Sequence, residues 1–421
     1  MFIKNFDKLA TTPNRKIVLE LIETALFSIQ AENVIDKNIT VSDNVLKIRD
    51  KTFDLKEFDR VFLIGFGKGS AKNSKFIEEK LGEKLTEGYV IDTSPESFAK
   101  IKFTQGTHPL PCKVNLDFVN NVLSKIDNLT EKDLVIVVIT GGGSALFETP
   151  YRLGLEKLIE IDKALLKSGA NISEMNTVRK HLSKVKGGGL SKHLYPAKVV
   201  SVIASDVPGN DLSTISSGPT VKDPTTLEDA LNIINKYQLA GTSREDFLET
   251  PREDKYFEKV SNILILSNIT ALNAMKKKAE ENGLKAEILT DRFQGEARFA
   301  GSDLVKKASP SVILLIGGET TVKVTGKGLG GRNQEVVLGA LLSIDERTII
   351  CSFDSDGWDN SHFAGAIGDF KTLEKAKELA LNPKNFLNTN NSLAFFEKIG
   401  DGIETGRLPS NVSDLMIVLK V

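Results

Sequence analysis

The sequence is poor in cysteine and histidine, and it has almost no net charge. Its 421 residues include two cysteines and four histidines, and the formal net charge is −1. Two cysteines, Cys112 and Cys351, are too few for a disulfide framework or a cysteine-rich zinc site. The balance of charge gives no indication of binding to nucleic acid or to an anionic membrane surface. We therefore expect neither kind of partner.

Long apolar runs are also missing. No run approaches the ~20 residues that cross a bilayer, and residues 1–16 lack the continuous apolar core of a signal peptide. These absences predict a cytoplasmic protein. We expect it to be a monomer or a homodimer. A chain of 421 residues exceeds what one hydrophobic core usually supports, so we expect two domains.

Short apolar runs alternate with segments of helical periodicity, which predicts an α/β fold. The runs include VFLIG (61–65), LVIVVIT (134–140) and VVSVIAS (199–205), and the helical segments include Ser70–Leu81 and Leu155–Ser168. Strands this apolar are typical of mostly parallel sheets covered on both faces. A charged stretch at 242–259 predicts a boundary between domains 1–245 and 255–421, with NILILSN (262–268) as the first strand of the second.

Glycine-rich loops follow several of these strands, and the first is GFGKGSAK, residues 65–72. A strand, a glycine turn and a helix start form an anion site. The loop is also a partial dinucleotide motif, with Asp92 at the end of the next strand as the acid for a ribose. Lys68 adds a point charge suited to a carboxylate or a phosphoryl group. A dinucleotide site, a kinase-like anion site and a tight structural turn all stay open here.

Two further loops follow the next strands. ITGGGSALF (139–147) places three glycines and Ser144 at a helix start, which predicts a phosphate cradle without a Walker A lysine. SDVPGNDLSTISSGPT (205–220) places Asp206 directly after a strand, where carboxylates of phosphoryl-transfer sites bind magnesium. The alternative for this loop is a turn built on its proline, glycine, asparagine and Asp211.

Two basic stretches complete the set. MNTVRKHLSKVKGGGL (175–190) predicts a basic helix ending at Gly187, either solvated or facing an anion. GGETTVKVTGKGLGGRNQE (317–335) combines six glycines with lysines and Arg332, between an apolar strand and an apolar helical run. Bare backbone N–H groups beside such cations suit phosphate; the alternative is a flexible hairpin tip.

Taken in order, these segments resemble the glycerate 2-kinase family with a C-terminal MOFRL-type domain. GFGKGSAK, THPLP (107–111), ITGGGSAL, the basic helix, SDVPGNDLSTISSGPT and the long glycine stretch carry the resemblance. It implies two Rossmann-like α/β/α domains with a cleft between them. It also implies transfer of a phosphoryl group from ATP to the 2-hydroxyl of D-glycerate, with Mg²⁺ or another divalent cation. Two later runs, 353–366 and 403–415, depart from the family pattern, with Arg407 where a proline is expected.

The resemblance places the lysine of the first glycine loop and the arginine of GGRNQE in catalysis, and these are Lys68 and Arg332. We assign the remaining site residues as follows: ATP to Gly141, Gly142, Gly143, Ser144 and Lys186; D-glycerate to Gly67, Lys68, Arg332 and Asn333; and the metal to Asp206 and Glu319. Two rivals stay open, an NAD(P)-dependent hydroxypyruvate reductase and a non-catalytic regulator that binds an anion or a nucleotide.

Overall fold

The computed structural model describes residues 1–239 and 241–421, and the chain forms two compact units. Val34–Ile265 form the central unit. Met1–Asn33 and Leu266–Val421 together form the composite unit. Among the described residues, no helix is both long and apolar enough to cross a membrane.

The central unit is built around a six-stranded sheet in the order β6-β5-β4-β7-β8-β9, beside a small antiparallel sheet of β1, β2 and β3. The strands are β1 Ile39–Ser42, β2 Val45–Ile48, β3 Lys51–Asp54, β4 Arg60–Phe66, β5 Glu87–Asp92, β6 Ile101–Gln105, β7 Asp133–Ile139, β8 Lys198–Ala204 and β9 Val260–Leu266. β4 pairs in parallel with β5 and β7, β5 with β6, and β7 with β8. Every residue of β7 is buried, as expected for a strand covered on both faces.

Helices alternate with these strands along the chain, and the periodicity of the sequence located two of them correctly. They are α3 Ala31–Asn38, α4 Ser70–Leu81, α5 Lys113–Lys125, α6 Gly143–Leu146, α7 Leu155–Ser168, α8 Ile172–Leu182, α9 Gly189–Leu194 and α10 Leu227–Lys236. α4 and α7 have the predicted bounds. The basic helix differs, because it ends at Leu182 and Ser183 is extended. Stacked rings of Phe66 and Phe147, 4.2 Å apart, lie in the core below the glycine loops.

The composite unit has its own six-stranded sheet, in the order β10-β11-β15-β12-β13-β14. Its strands are β10 Lys285–Phe293, β11 Val312–Gly318, β12 Thr348–Asp354, β13 Gly365–Gly368, β14 Gly402–Ile403 and β15 Asp414–Lys420; its helices are α1 Phe6–Leu9, α2 Pro13–Ser28, α11 Asn268–Glu281, α12 Ala297–Lys307, α13 Arg332–Ala340, α14 Phe370–Glu378, α15 Pro383–Asn388 and α16 Ser392–Ile399. Thr12 caps α2 by accepting a hydrogen bond from the Arg15 N–H at 3.1 Å.

The α/β class is confirmed, but the composite sheet is not mostly parallel. Only β10 and β11 pair in parallel, while β15 runs antiparallel to both of its neighbours and β13 to both of its own. β15 is the last strand of the chain and enters between β11 and β12. Apolar runs identify buried strands but carry no information on strand direction.

The boundaries of the two units also differ from the predicted domains. The run NILILSN contributes to β9, the edge strand of the central sheet, rather than to the second unit. Met1–Asn33 belong to the composite unit, because α2 packs on α11 and on strands β12 and β15. These packing partners lie more than two hundred residues away in the sequence, beyond the reach of local patterns.

A buried ion cluster fastens α2 to the distant end of the chain. The Arg15 guanidinium is 2% exposed and binds Asp369 at 2.6 Å and Asp401 at 2.8 Å, with Thr372 at 2.8 Å. Burial would lower the pKa of Arg15, but the bonds and charges of the two aspartates raise it. The two aspartates therefore neutralise the buried charge of Arg15, and both carboxylates require that charge in turn.

We expect Arg15→Met to destabilise the composite unit by about 3–5 kcal/mol, because it leaves two buried carboxylates without their cation. Urea denaturation followed by circular dichroism measures the loss. Lys16→Met is the matched control, since Lys16 is exposed and its nearest acid, Glu20, lies 3.9 Å away. Equal stability of the two variants would contradict a role for the cluster in anchoring α2.

Candidate active site

The loops after β4 and β7 lie side by side at the carboxyl end of the central sheet. The Lys68 N–H donates to the Gly141 carbonyl at 2.8 Å. Gly67 has φ +108° and packs against Thr140 so closely that a Cβ there would overlap it. A glycine is required at this position both by the left-handed backbone and by the close approach. The two predicted glycine loops therefore form one surface, in the crevice where open α/β sheets bind ligands.

Three side chains surround the bare backbone of the second glycine loop. A Cβ on Gly141 would overlap the Asp206 carboxylate, and a Cβ on Gly142 would come within 2.8 Å of the His108 ring and 3.4 Å of Lys68 Cε. Gly142 also has φ +78°. The predicted residues Lys68, Asp206 and Gly141–Gly143 are thus brought together around a cradle that any larger side chain would fill.

His108 is the member of this cluster to which sequence reasoning gave no role. It appears in the THPLP segment, but a lone histidine in a loop gives no signal of its own. Burial, and then the charge of Lys68, lower the pKa of His108, so its imidazole is neutral at pH 7. Lys68 is half-buried. The cradle therefore has both an ammonium group, from Lys68, and a carboxylate, from Asp206, at its border.

Ser144 faces the loop of residues 205–220, where the backbone is strained. Its Oγ lies 2.9 Å from Ser217 Oγ, which donates in turn to Asn176 Oδ1 at 3.4 Å. Ser216 and Ser217 have φ of +49° and +61°, a conformation that costs non-glycine residues about 1–3 kcal/mol each. The Ser216 hydroxyl donates to the Thr140 carbonyl at 2.9 Å and helps to hold this turn in place. Strain of this kind concentrates at ligand sites.

Asp92, the candidate ribose acid, is occupied by its own backbone. It is 1% exposed and accepts hydrogen bonds from the Ala71 N–H at 2.9 Å and the Thr93 N–H at 2.6 Å. Burial raises its pKa, although these N–H donors act in the opposite direction. The carboxylate caps the start of α4 and presents no free oxygen edge to a ribose. This arrangement disfavours the dinucleotide interpretation of Gly65–Ser70.

Lys186 does not join the residues around Gly141. Its side chain is 3% exposed and forms an ion pair with the equally buried Glu148. The neighbouring Gly187 donates its N–H to the Ser217 carbonyl at 3.0 Å, so Lys186 is one residue removed from the strained turn. Its contact with a cofactor stays a prediction.

In the composite unit, Arg332 binds three carboxylates. Its guanidinium lies 2.7 Å from Glu319, 2.7 Å from Asp414 and 3.1 Å from Asp354. The strand register explains the convergence, because Asp414 is paired with Gly318 across one side of β15 and with Asp354 across the other. Arg332 begins α13 beside these strand ends, so the predicted catalytic arginine is held by the sheet itself.

Burial dominates the electrostatics of this cluster. It raises the pKa of Asp414 to about 7 in spite of Arg332. Burial and the charge of Asp414 raise the pKa of Asp354 well above its ordinary value. Burial opposes the charged form of Arg332 as well, but Asp414, Glu319 and Asp354 raise its pKa overall. Glu319 is the most accessible of the three acids, with 42% of its side chain exposed against 0% for Asp414.

Asn333 lies behind Arg332 rather than in contact with solvent. It is fully buried; its amide donates to Asp414 at 2.8 Å, and its Oδ1 accepts a hydrogen bond from Ser352 at 2.5 Å. In this buried position Asn333 orients Asp414, and its contact with the substrate stays a prediction. A buried asparagine and an exposed one look the same in the sequence GGRNQE.

The amino end of α13 is already occupied by a carboxylate of the protein. Asp359 accepts from the Asn333 N–H at 3.0 Å and the Gln334 N–H at 2.8 Å, and Gln334 Nε2 also donates to it at 3.0 Å. Burial raises the pKa of Asp359, while these donors lower it. The glycine-rich segment before this helix predicted an anion site at the helix start. The carboxylate of Asp359 already occupies that position.

Hydrogen bonds and close packing fix the long glycine stretch that precedes α13. The N–H groups of Thr325 and Gly326 donate to Asn390 Oδ1 at 2.7 and 2.8 Å, and the Gly328 N–H donates to the Thr389 carbonyl at 2.9 Å. Gly326 and Gly328 pack so closely on Thr389 and Asn391 that a Cβ would overlap them. The stretch is therefore packed against the rest of the unit and is not a flexible hairpin tip.

The two runs that depart from the family pattern contact one another. The Arg407 guanidinium lies 4.1 Å from the centre of the Trp358 ring. Gly357, with φ +79°, packs against the backbone of Gly406. The two runs that lack the expected family motifs therefore pack against each other.

No group of three or more His, Cys, Asp or Glu side chains within residues 1–239 and 241–421 is arranged to hold a metal ion by itself. Of the two predicted ligands, Asp206 lies against Gly141 in the central unit and Glu319 against Arg332 in the composite unit. Magnesium commonly takes only one or two carboxylates and completes its shell with substrate phosphates and water. A single carboxylate, Asp206, beside the glycine cradle is compatible with such a site.

Comparison with known proteins covers almost the whole chain. The model of a domain of unknown function (DUF4147) matches residues 17–249, and the MOFRL family model matches residues 312–414. A D-glycerate 2-kinase of Thermotoga maritima is 37% identical over 391 residues, which cover 88% of this chain and 93% of the relative. A putative hydroxypyruvate reductase of Agrobacterium vitis is 35% identical over 382 residues, covering 86% and 87%.

A solved structure agrees with these matches. The crystal structure of a glycerate kinase from Thermotoga maritima has a TM-score of 0.87 to this chain at 34% identity, with 96% of this chain and 99% of that chain covered.

We expect Asp359→Ala to lower the free energy of unfolding by about 1–3 kcal/mol, because it leaves buried N–H donors at the start of α13 without an acceptor. Urea denaturation measures the change. Asp303→Ala, on the exposed face of α12, is the matched control and is expected to change stability by less than about 0.5 kcal/mol. A loss no larger than that of the control would show that water replaces the carboxylate and that Asp359 is not a structural cap.

Proposed function

The chain belongs to the glycerate 2-kinase family, and we propose that it transfers a phosphoryl group from ATP to the 2-hydroxyl of D-glycerate, giving 2-phosphoglycerate and ADP. The observation that carries the proposal is the bare cradle of Gly141–Gly143, with Lys68 and Asp206 around it at the carboxyl end of a parallel sheet. Phosphoryl transfer requires positioning and neutralisation of charge more than covalent chemistry. A backbone cradle, a cation and a carboxylate are suited to that task.

The cradle fits the phosphates of ATP. Gly141–Gly143 would bind them through backbone N–H groups, and Ser144 would add its hydroxyl. Ser217 and Asn176 hold that hydroxyl in place. ATP supplies the phosphoryl group that is transferred.

Asp206 is the proposed ligand of Mg²⁺. Its carboxylate lies directly against Gly141, the first glycine of the proposed phosphate site, and would hold the cation there. When bound, Mg²⁺ would supply positive charge to the phosphate oxygens. Glu319 is the weaker candidate, because it already binds Arg332.

Lys68 and Arg332 are the proposed catalytic cations. The Lys68 side chain borders Gly142, so its ammonium would act on a phosphoryl or carboxylate group bound there. Arg332 has three partners, of which Glu319 is the most exposed. We propose that an incoming carboxylate or phosphate replaces Glu319 on the guanidinium fork, while Asp354 and Asp414 keep the fork in position.

The reductase alternative is less well supported. One relative is named a putative hydroxypyruvate reductase, but the acid that a dinucleotide needs for its ribose, Asp92, is buried under its own backbone donors. We therefore propose a cytoplasmic phosphotransferase whose substrates are ATP and D-glycerate.

We expect Lys68→Ala and Arg332→Lys each to reduce kcat/KM for ADP release with D-glycerate by roughly 10²–10⁴-fold, because each removes a positioned charge or the planar fork from the transition state. Arg332→Lys keeps a positive charge near the buried acids and so limits unfolding. Lys72→Ala and Arg292→Lys are matched controls, since both side chains are exposed. Near-normal turnover of both site variants, with folding verified by circular dichroism, would refute the assignment.

We expect the product formed from ATP and D-glycerate to be 2-phosphoglycerate, identified by chromatographic separation from 3-phosphoglycerate. A parallel assay follows NADH absorbance with hydroxypyruvate and no ATP, and no decrease is expected. Formation of 3-phosphoglycerate would overturn the regiochemistry. Oxidation of NADH would overturn the reaction class, and tight binding of ATP without any product would indicate a regulator.

A further inference from the structure

One buried side chain, that of Asn390, fixes the middle of the long glycine stretch. Asn390 lies between α15 and α16 and is 8% exposed. Its Oδ1 accepts hydrogen bonds from the Thr325 N–H at 2.7 Å and the Gly326 N–H at 2.8 Å. Its Nδ2 donates to the Lys323 carbonyl at 3.2 Å. A single amide group therefore binds the backbone of Lys323, Thr325 and Gly326.

The same amide group also contacts the helix that begins with Arg332. Asn390 Nδ2 donates to Glu335 Oε2 at 3.2 Å. Glu335 lies three residues after Arg332 in the first turn of α13 and is 2% exposed. The contact therefore joins the glycine stretch to the helical turn that carries the proposed catalytic arginine.

Arg298 holds Glu335 from a second direction. Arg298 Nε lies 3.5 Å from Glu335 Oε1 and 2.9 Å from Glu296, and Nη2 of the same guanidinium donates to the Lys323 carbonyl at 3.4 Å. Burial raises the pKa of Glu335, while its bond from Asn390 and the charge of Arg298 lower it. The Glu335 carboxyl group is thus fixed between an amide and a guanidinium, and it gives Asn390 a rigid partner.

The ion pair between Glu319 and Arg332 joins the two ends of the stretch, with 2.7 Å between the side chains. The Glu319 N–H donates to the Phe293 carbonyl at 2.9 Å, which fixes the backbone at the first end. Asn390 fixes the middle and, through Glu335, the second end. An anion that replaces Glu319 on Arg332 would therefore displace a side chain while the backbone stays in place.

We propose that Asn390 is a positioning residue for Arg332. The inference rests on the proposed function, in which Arg332 binds a carboxylate or a phosphate of the substrates. Because Asn390 binds the stretch and Glu335 at once, the stretch and the first turn of α13 behave as one body. The guanidinium then keeps its orientation when Glu319 is released. A displacement of about 1 Å at a catalytic group can lower a rate by about 10²-fold.

We expect Asn390→Gly to reduce kcat/KM for ADP release with D-glycerate by roughly 10–10²-fold, because the arginine loses its fixed orientation. Asn390 has φ +51°, which glycine adopts without strain, so the substitution removes the amide and leaves the backbone conformation accessible. Asp43→Gly is the matched control, since Asp43 is exposed and has φ +52° in the turn between β1 and β2. The control is expected to turn over as wild type does, and circular dichroism verifies folding of both variants.

A double-mutant cycle separates positioning from a general loss of stability. In an Arg332→Lys background we expect Asn390→Gly to lower kcat/KM by less than about twofold, because residues that act through one another are not additive. Losses that add in full would overturn the proposal.

Two variants of Glu335 test the connection to α13. Glu335→Gln keeps an acceptor oxygen for Asn390 and is expected to retain most of the activity, whereas Glu335→Leu is expected to lose as much as Asn390→Gly does. Equal activity of the two Glu335 variants would overturn the connection.

Hydrogen exchange followed by mass spectrometry distinguishes failure of this inference from failure of the proposed function. In Asn390→Gly we expect amides of residues 323–326 and of the first turn of α13 to exchange roughly tenfold faster than in wild type, with no such change in Asp43→Gly. Faster exchange confined to residues 323–326 would overturn the coupling. Near-normal turnover of Asn390→Gly beside an inactive Arg332→Lys would overturn the positioning role and leave the proposed function intact. A wild type without kinase activity would refute the proposed function, and the exchange rates would still decide whether Asn390 couples the two segments.

Discussion

The antiparallel insertion of β15 between β11 and β12 is the constraint on which the composite unit depends. It sets Asp414 opposite both Gly318 and Asp354, so that Asp414, Asp354 and Glu319 meet at one place. Carboxylates this close and this buried require a cation, and Arg332 at the start of α13 supplies it. The remaining contacts around this point hold that helix end in register, through Asn333 on Asp414 and Asp359 on the first N–H groups of α13.

In the central unit, the feature that shapes the candidate site is the absence of side chains at its glycines. The loops after β4 and β7 approach each other through glycines, and the space that a Cβ would take is bordered by Lys68, His108 and Asp206. Here one ammonium group, of Lys68, and one carboxylate, of Asp206, border the glycines, whereas in the composite unit three acids share one guanidinium. An anion is stabilised more readily by the first arrangement. The second can accept an anion only in exchange for Glu319, its most exposed partner.

Local patterns in the sequence located several elements and loops of the central unit, although they missed the end of the basic helix and the place of β9 in the central sheet. Periodicity located α4 and α7, and the position of glycines after apolar strands located the cradle. Strand direction in the composite sheet was beyond such patterns, because β15 reaches its place only through long-range pairing. The packing of Met1–Asn33 with the end of the chain was missed for the same reason. The roles of Asn333 and Asp92 also depend on burial and on partners elsewhere in the fold, which residue type alone does not reveal.

The central claim is that Gly141–Gly143 and Ser144 form the phosphate site, with Lys68 and Asp206 beside them. A crystal structure with a non-hydrolysable ATP analogue, Mg²⁺ and D-glycerate tests it most directly. The account predicts phosphate oxygens within hydrogen-bond distance of the backbone N–H groups of Gly141–Gly143, with Mg²⁺ on Asp206. Phosphates bound elsewhere, with these glycines still bare, would contradict it.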